Sequence, residues 1–146
     1  LDITHTYDED VGVSSVKRHI WLTKSGIVVV ADWIHSTQAG EVSYTWHGCE
    51  HGYWERRGAA FGVHGNHSSL YIHTPGMSLE RAVISRLRGS RGQMSLQWSA
   101  RSETPIWWVF SPVYLPENAI KSYNHQQRLQ LVDVTGRAVQ FDLIAD

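Results

Sequence analysis

Two histidines and the single cysteine of this chain sit at alternate positions in Thr45-Trp46-His47-Gly48-Cys49-Glu50-His51-Gly52-Tyr53-Trp54-Glu55-Arg56-Arg57. Alternate side chains of an extended strand share a face, so His47, Cys49 and His51 could converge on a zinc ion. A structural zinc site takes four ligands, commonly from two separate knuckles, and the sequence has no second cysteine cluster. His64 and His67 could supply the remainder, but the Gly65-Asn66 joint places them across a turn from each other. The preferred reading is a strand end with one buried cysteine and partly exposed histidines, with no metal and no other cofactor.

Beyond that strand, in an expected loop, Trp54, Arg56 and Arg57 combine an aromatic ring with two guanidinium groups. Such a set can stack on a pyranose and pair with a uronate or sulfate, and these three are the expected substrate-binding residues. The plainer alternative has Trp54 capping the core and the arginines solvated. Arg81, Arg86, Arg88 and Arg91 form the most basic stretch, with Arg86 and Arg88 on one strand face. Basic clusters attract sulfated glycans and nucleic acid, yet paired exposed arginines more often protect an edge. His5 beside Asp8, Glu9 and Asp10 could hold a divalent cation, but the spacing fits no known loop of that kind and reads as an acidic turn. Asp32 ends an apolar run and is expected to hydrogen-bond backbone groups there. Ser, His and Asp are all available for nucleophilic catalysis, but no G-x-S-x-G turn marks a nucleophile, and no catalytic residue is assigned.

The elements that must position these residues read as strands. From Ser15 to Ser36 two β-branched and aromatic runs flank Lys24-Ser25-Gly26, a hairpin signal. In the first run Val16, Arg18, Ile20 and Leu22 point one way and Lys17, His19, Trp21 and Thr23 the other. The second, Ile27 to Ala31, is apolar on both faces and belongs mid-sheet with both sides covered. Glu41 to Cys49, Ser69 to His73, Arg81 to Arg88 and Gln93 to Ala100 look equally extended, with hairpin joints at Gly65-Asn66 and at Gly89-Ser90-Arg91-Gly92. Ile106 to Phe110 reads as a short buried strand, and Thr135-Gly136-Arg137 closes a last hairpin. One helical turn is expected within Glu117 to Tyr123, after Pro116. Roughly ten short strands with closely spaced turns predict an all-β antiparallel β-sandwich. At 146 residues it should be a single domain, residues 1–146.

Composition narrows the partners. With 42% hydrophobic residues, 18% charged and a net charge of -1, neither disorder nor a basic nucleic-acid binder is expected. No apolar run approaches the roughly 20 residues that cross a bilayer, so no membrane partner is expected. The lone cysteine excludes an internal disulfide. The seven tryptophans and six tyrosines suit strands, interfaces and sugar-binding surfaces alike.

The segment VKRHIWLTKSGIVVVADWIHS, followed by EVSYTWHGCEHG, resembles the β-sandwich part of the heparinase II/III-like polysaccharide lyases. The likeness lies in Arg18, the bend Lys24-Ser25-Gly26, the V-V-V-x-D run Val28-Val29-Val30-Ala31-Asp32, and Trp46-His47, over about the first third of the chain. The resemblance implies a parent enzyme in which an α/α toroid precedes this module, and a glycan lying in the cleft between them. Such enzymes cleave uronic-acid glycans by β-elimination: a base takes the C5 proton, a neutralising group stabilises the enolate, and an acid protonates the leaving oxygen. In the family most of these groups come from the toroid, and no H-x-H or D-x-G-x-F stretch of the sandwich is present here. The expected function is that of a supporting, cleft-lining module, inactive alone, whose partners are an acidic polysaccharide and the upstream toroid. The start at Leu1 reads as a fragment of a larger periplasmic or secreted lyase. The competing expectation is a free-standing carbohydrate-binding sandwich, which should expose a coplanar aromatic row, whereas a lyase lobe should expose an apolar patch.

Overall fold

A computed structural model describes residues 1–6, 12–37, 40–47, 52–77, 82–86, 92–100, 105–123 and 126–143. Twelve strands run through them: β1 (Val13–Leu22), β2 (Val28–Ser36), β3 (Gly40–His47), β4 (Tyr53–Arg57), β5 (Ala60–His64), β6 (Ser69–His73), β7 (Ala82–Arg86), β8 (Gly92–Ala100), β9 (Ile106–Ser111), β10 (Ile120–Tyr123), β11 (Arg128–Val132) and β12 (Ala138–Asp142). All pair antiparallel, as the hairpin signals require.

The strands form a sandwich with a third layer. A six-stranded sheet, ordered β1-β2-β9-β6-β5-β4, lies between the three-stranded sheets β3-β8-β7 and β10-β11-β12. The alternation of β2 and β9 explains this arrangement, because both strands bury apolar side chains on both faces. Val30, Ile34, Ile106 and Trp108 join Val16, Trp54, Phe61 and Ile72 in one core, against which Tyr44 and Trp46 of β3 pack. Val29, Ala31, Trp107 and Val109 join Leu129, Leu131 and Phe141 in the other. Trp108 meets Tyr44 and Trp46 with ring centroids 4.9 and 5.3 Å apart. Trp107 meets Trp21 of β1 at 5.9 Å, and Trp21 in turn meets Phe141 at 5.6 Å.

The hairpin joining β1 to β2 turns at Gly26, whose φ of +79° is a conformation that glycine adopts without strain. It fixes a register in which Arg18 faces Asp32. Asp32 is wholly buried, and Arg18 donates to it from Nε at 2.6 Å and from Nη2 at 2.8 Å. This corrects the expected role of Asp32: β2 runs on to Ser36, and the carboxylate is satisfied by a guanidinium across the hairpin rather than by backbone at a strand end. The expected helical turn near Glu117 is also shorter than its segment. A 3₁₀ turn spans Glu117–Ala119, after which Ile120 to Tyr123 extend to pair with β11, the cross-strand ladder overriding helix propensity.

The N-terminal residues pair on the outer edge of β1, with Ile3 donating to Val16 and Arg18 to Leu1. The apolar face predicted for β1 is buried only at Val16; Ile20 and Leu22 are 59% and 74% exposed.

Candidate functional site

The β10-β11-β12 layer packs on the β1, β2 and β9 part of its side of the central sheet. On that same side, β4, β5 and β6 carry a polar and aromatic surface whose geometry follows from register. Tyr53 lies opposite His64, which lies opposite Ser69; Glu55 faces Gly62, which faces Tyr71; Arg57 faces Ala60, which faces His73. Strand alternation puts all nine on one face.

His64 is held from several directions. Its ring stacks on Tyr53 at 4.8 Å and meets the edge of Tyr71 at 5.7 Å. Nδ1 is 2.8 Å from Ser69 Oγ, and Nε2 lies 3.0 Å from Glu55 Oε1. The latter contact is off the hydrogen-bond axis, so among the described residues Nε2 has no directional partner and the pair is Coulombic when the ring is charged. Gly62 makes room for both: a Cβ there would stand 2.5 Å from His64 Nε2 and 3.1 Å from Glu55 Cγ. Serine, histidine and glutamate are thus in line, but Glu55 is 41% exposed and its alignment is poor, so the set orients an imidazole rather than activating a nucleophile.

Tyr114, in the segment after β9, extends the surface. Its ring meets Tyr71 at 5.7 Å and His73 at 5.9 Å, and the Arg57 guanidinium sits 4.4 Å over it. The close approach depends on Gly58, where φ is +55° and a Cβ would lie 3.1 Å from the Tyr114 hydroxyl. Arg57, exposed and backed by an aromatic face, presents a fixed cation to solvent. Beside Tyr114 opens a cleft of about 220 Å³, with His73, Thr74 and Glu117 in its wall.

Burial of His73, only 4% exposed, lowers its pKa from 6.5 to about 4. Between those values the unfolded chain takes up a proton that the folded chain refuses, so stability falls as pH drops through this window and is fully present above it. The total loss should approach about 3 kcal/mol. Urea unfolding of the wild type and of His73→Gln across pH 4 to 7.5 checks this: the difference between them should slope within the window and flatten above it. Parallel curves would show that His73 is hydrated.

The expected substrate-binding residues separate. Tyr53–Arg57 is a strand paired with β5 rather than a loop. Alternation turns Trp54, 8% exposed, into the first core, places Arg56 on Trp54's side, and leaves Arg57 alone on the His64 and Tyr114 side. Sequence reasoning named His64 only as a possible metal ligand and missed Tyr53, Glu55, Tyr71, His73 and Tyr114, which come together through pairing of β4, β5 and β6 and the return of the chain after β9.

His47 ends β3 exposed, while Cys49 and His51 lie outside the described residues. Among the described residues no group of three metal-ligating side chains occurs. His5 sits in a 3₁₀ turn, Thr4–Thr6, and Asp8, Glu9 and Asp10 lie outside. Arg86 closes β7; Arg81, Arg88 and Arg91 lie outside. Among the described residues no helix is long and apolar enough to cross a membrane.

No protein-family model matches the chain, and no curated protein matches it. Of the residues that carried the expected resemblance, Arg18 and Asp32 are in direct contact.

Proposed function

We propose that this chain is a β-sandwich module of the heparinase II/III-like lyase kind and that the open β4-β5-β6 face is its glycan-facing side. The observation that carries the reading is the exposed Arg57 guanidinium set over Tyr114 and beside Tyr71, next to an oriented His64. A cation on an aromatic bed pairs with the carboxylate or sulfate of an acidic sugar while the rings pack on its C–H faces. In the intact enzyme this face would line the cleft, and β-elimination would take its catalytic groups from the preceding toroid.

The free-standing binding module ranks second. Its hallmark would be a coplanar aromatic row, whereas the planes of His64 and Tyr71 cross at 82° and those of Tyr71 and Tyr114 at 76°. Exposed Ile20 and Leu22 on β1 instead offer apolar surface of the kind that another domain covers.

Two measurements test the reading. Incubated with heparin, heparan or alginate, this chain alone should produce no unsaturated-uronate absorbance, and turnover would refute the absence of a catalytic set. In affinity electrophoresis through the same glycans, Arg57→Ala should weaken retardation about tenfold, consistent with loss of one charge-assisted hydrogen bond. Equal retardation of Arg57→Ala and wild type would remove this face from the proposal.

A further inference from the structure

The cleft beside Tyr114 lies between the segment that follows β6 and the 3₁₀ turn leading into β10. Ala59, His73, Thr74, Gly76, Glu117 and Ser122 are in its wall. Its volume of about 220 Å³ is below the roughly 300 Å³ at which pockets enclose drug-sized ligands, so it suits one small ring rather than a length of chain.

The polar groups of the wall define what that ring carries. His73 and Thr74 are each 4% exposed, and among the described residues His73 Nε2 and Thr74 Oγ1 have no hydrogen-bond partner. Buried polar atoms are nearly always paired, and leaving one unpaired costs about as much as a hydrogen bond contributes. Both groups are neutral in form, since burial keeps the His73 imidazole unprotonated near neutral pH. A neutral imidazole and a hydroxyl can each donate or accept, which matches a hydroxyl and gives no advantage to a carboxylate. Charge points the same way. Among the described residues of the wall, the ionisable group besides His73 is the Glu117 carboxylate, and Lys121 alternates away from Ile120 and Ser122 along β10. An anion would be repelled here, while a few steps away Arg57 attracts one. Tyr114 joins the two places, with its ring 5.9 Å from that of His73 and 4.4 Å from the Arg57 guanidinium.

We propose that this cleft is a subsite for an uncharged, hydroxyl-bearing sugar ring, adjoining an anionic position at Arg57, so that the surface reads a neutral unit next to an acidic one. The inference rests on the glycan-binding reading above and adds the order of charges along the ligand.

The probes are methyl β-glucopyranoside and glucuronate, titrated separately to roughly 50 mM because single-sugar affinities lie in the millimolar range. The readout is the NMR signals of the His73 imidazole and the Ser122 amide for the cleft, and of the Arg57 guanidinium for the anionic position. The neutral glycoside should shift the His73 and Ser122 signals. Ser122→Phe, which fills the cleft, should weaken that response at least tenfold while leaving the glucuronate response at Arg57 intact. Thr74→Val, with a smaller change in shape, should weaken the glycoside several-fold. The inference is overturned if the glycoside leaves His73 and Ser122 unmoved, or if it binds Ser122→Phe and Thr74→Val as it binds the wild type. Glycoside binding without any glucuronate response would overturn the acidic-glycan reading and leave the neutral subsite standing.

Discussion

Arg18→Ala should lower the unfolding free energy by about 3–5 kcal/mol, the usual consequence of removing one partner of a buried ion pair. Asp32 is the reason. Its carboxylate is fully buried in the middle of β2, and the two Arg18 donors at 2.6 and 2.8 Å are what satisfy it from β1. Arg18 itself is 29% exposed, so the damage falls on the acid left behind rather than on the base removed. Against the roughly 5–15 kcal/mol that holds a typical domain together, this is a large share. Urea titration followed by tryptophan fluorescence gives the number. The double variant Arg18→Met with Asp32→Leu should recover most of the loss, since apolar replacement of both partners removes the unpaired charge. A loss below about 1 kcal/mol in the single variant would mean that water reaches Asp32.

Trp107→Ala and Trp108→Ala should each cost about 3–5 kcal/mol, but in different places. Both rings are fully buried, one in each core. Trp107 supports the β10-β11-β12 layer through Trp21 and Phe141, and Trp108 supports β3 through Tyr44 and Trp46. Hydrogen exchange should therefore accelerate first in β11 and β12 for Trp107→Ala, and first in β3 for Trp108→Ala. Identical exchange patterns would argue that the layers open as one unit. The Trp107 indole N–H has no hydrogen-bond partner among the described residues, so Trp107→Phe should lose much less.

Much of the framework was legible. Lys24-Ser25-Gly26 and Thr135-Gly136-Arg137 are turns because Gly26 and Gly136 take φ near +80° and because Asp133 accepts from the backbone of Thr135 and Arg137. The run Ile27 to Ala31 and the run Ile106 to Phe110 are apolar at every step, which only a strand covered on both faces requires. The partner of Asp32 was within reach too: a turn centred on Ser25 sets residue 18 against residue 32. The site was not legible, for a physical reason. Tyr53 to Arg57 has a single aliphatic-free apolar anchor on its core side, Trp54, and becomes a strand through β5 rather than through its own pattern. His64, Ser69 and Glu55 meet only once three strands are in register, and Tyr114 reaches them from beyond β9, more than forty residues along the chain. Local spacing carries no trace of such a meeting.

The adjacency of Trp107 and Trp108 has a further consequence. One peptide bond links the two side chains, so the cores on the two faces of the central sheet share a single stretch of backbone in β9. Tyr114, which the proposed ligand would touch, lies three residues past the end of that same strand. A ligand that displaced Tyr114 would pull on β9, which sends one indole into each core, so Trp107 and Trp108 would report sugar binding together.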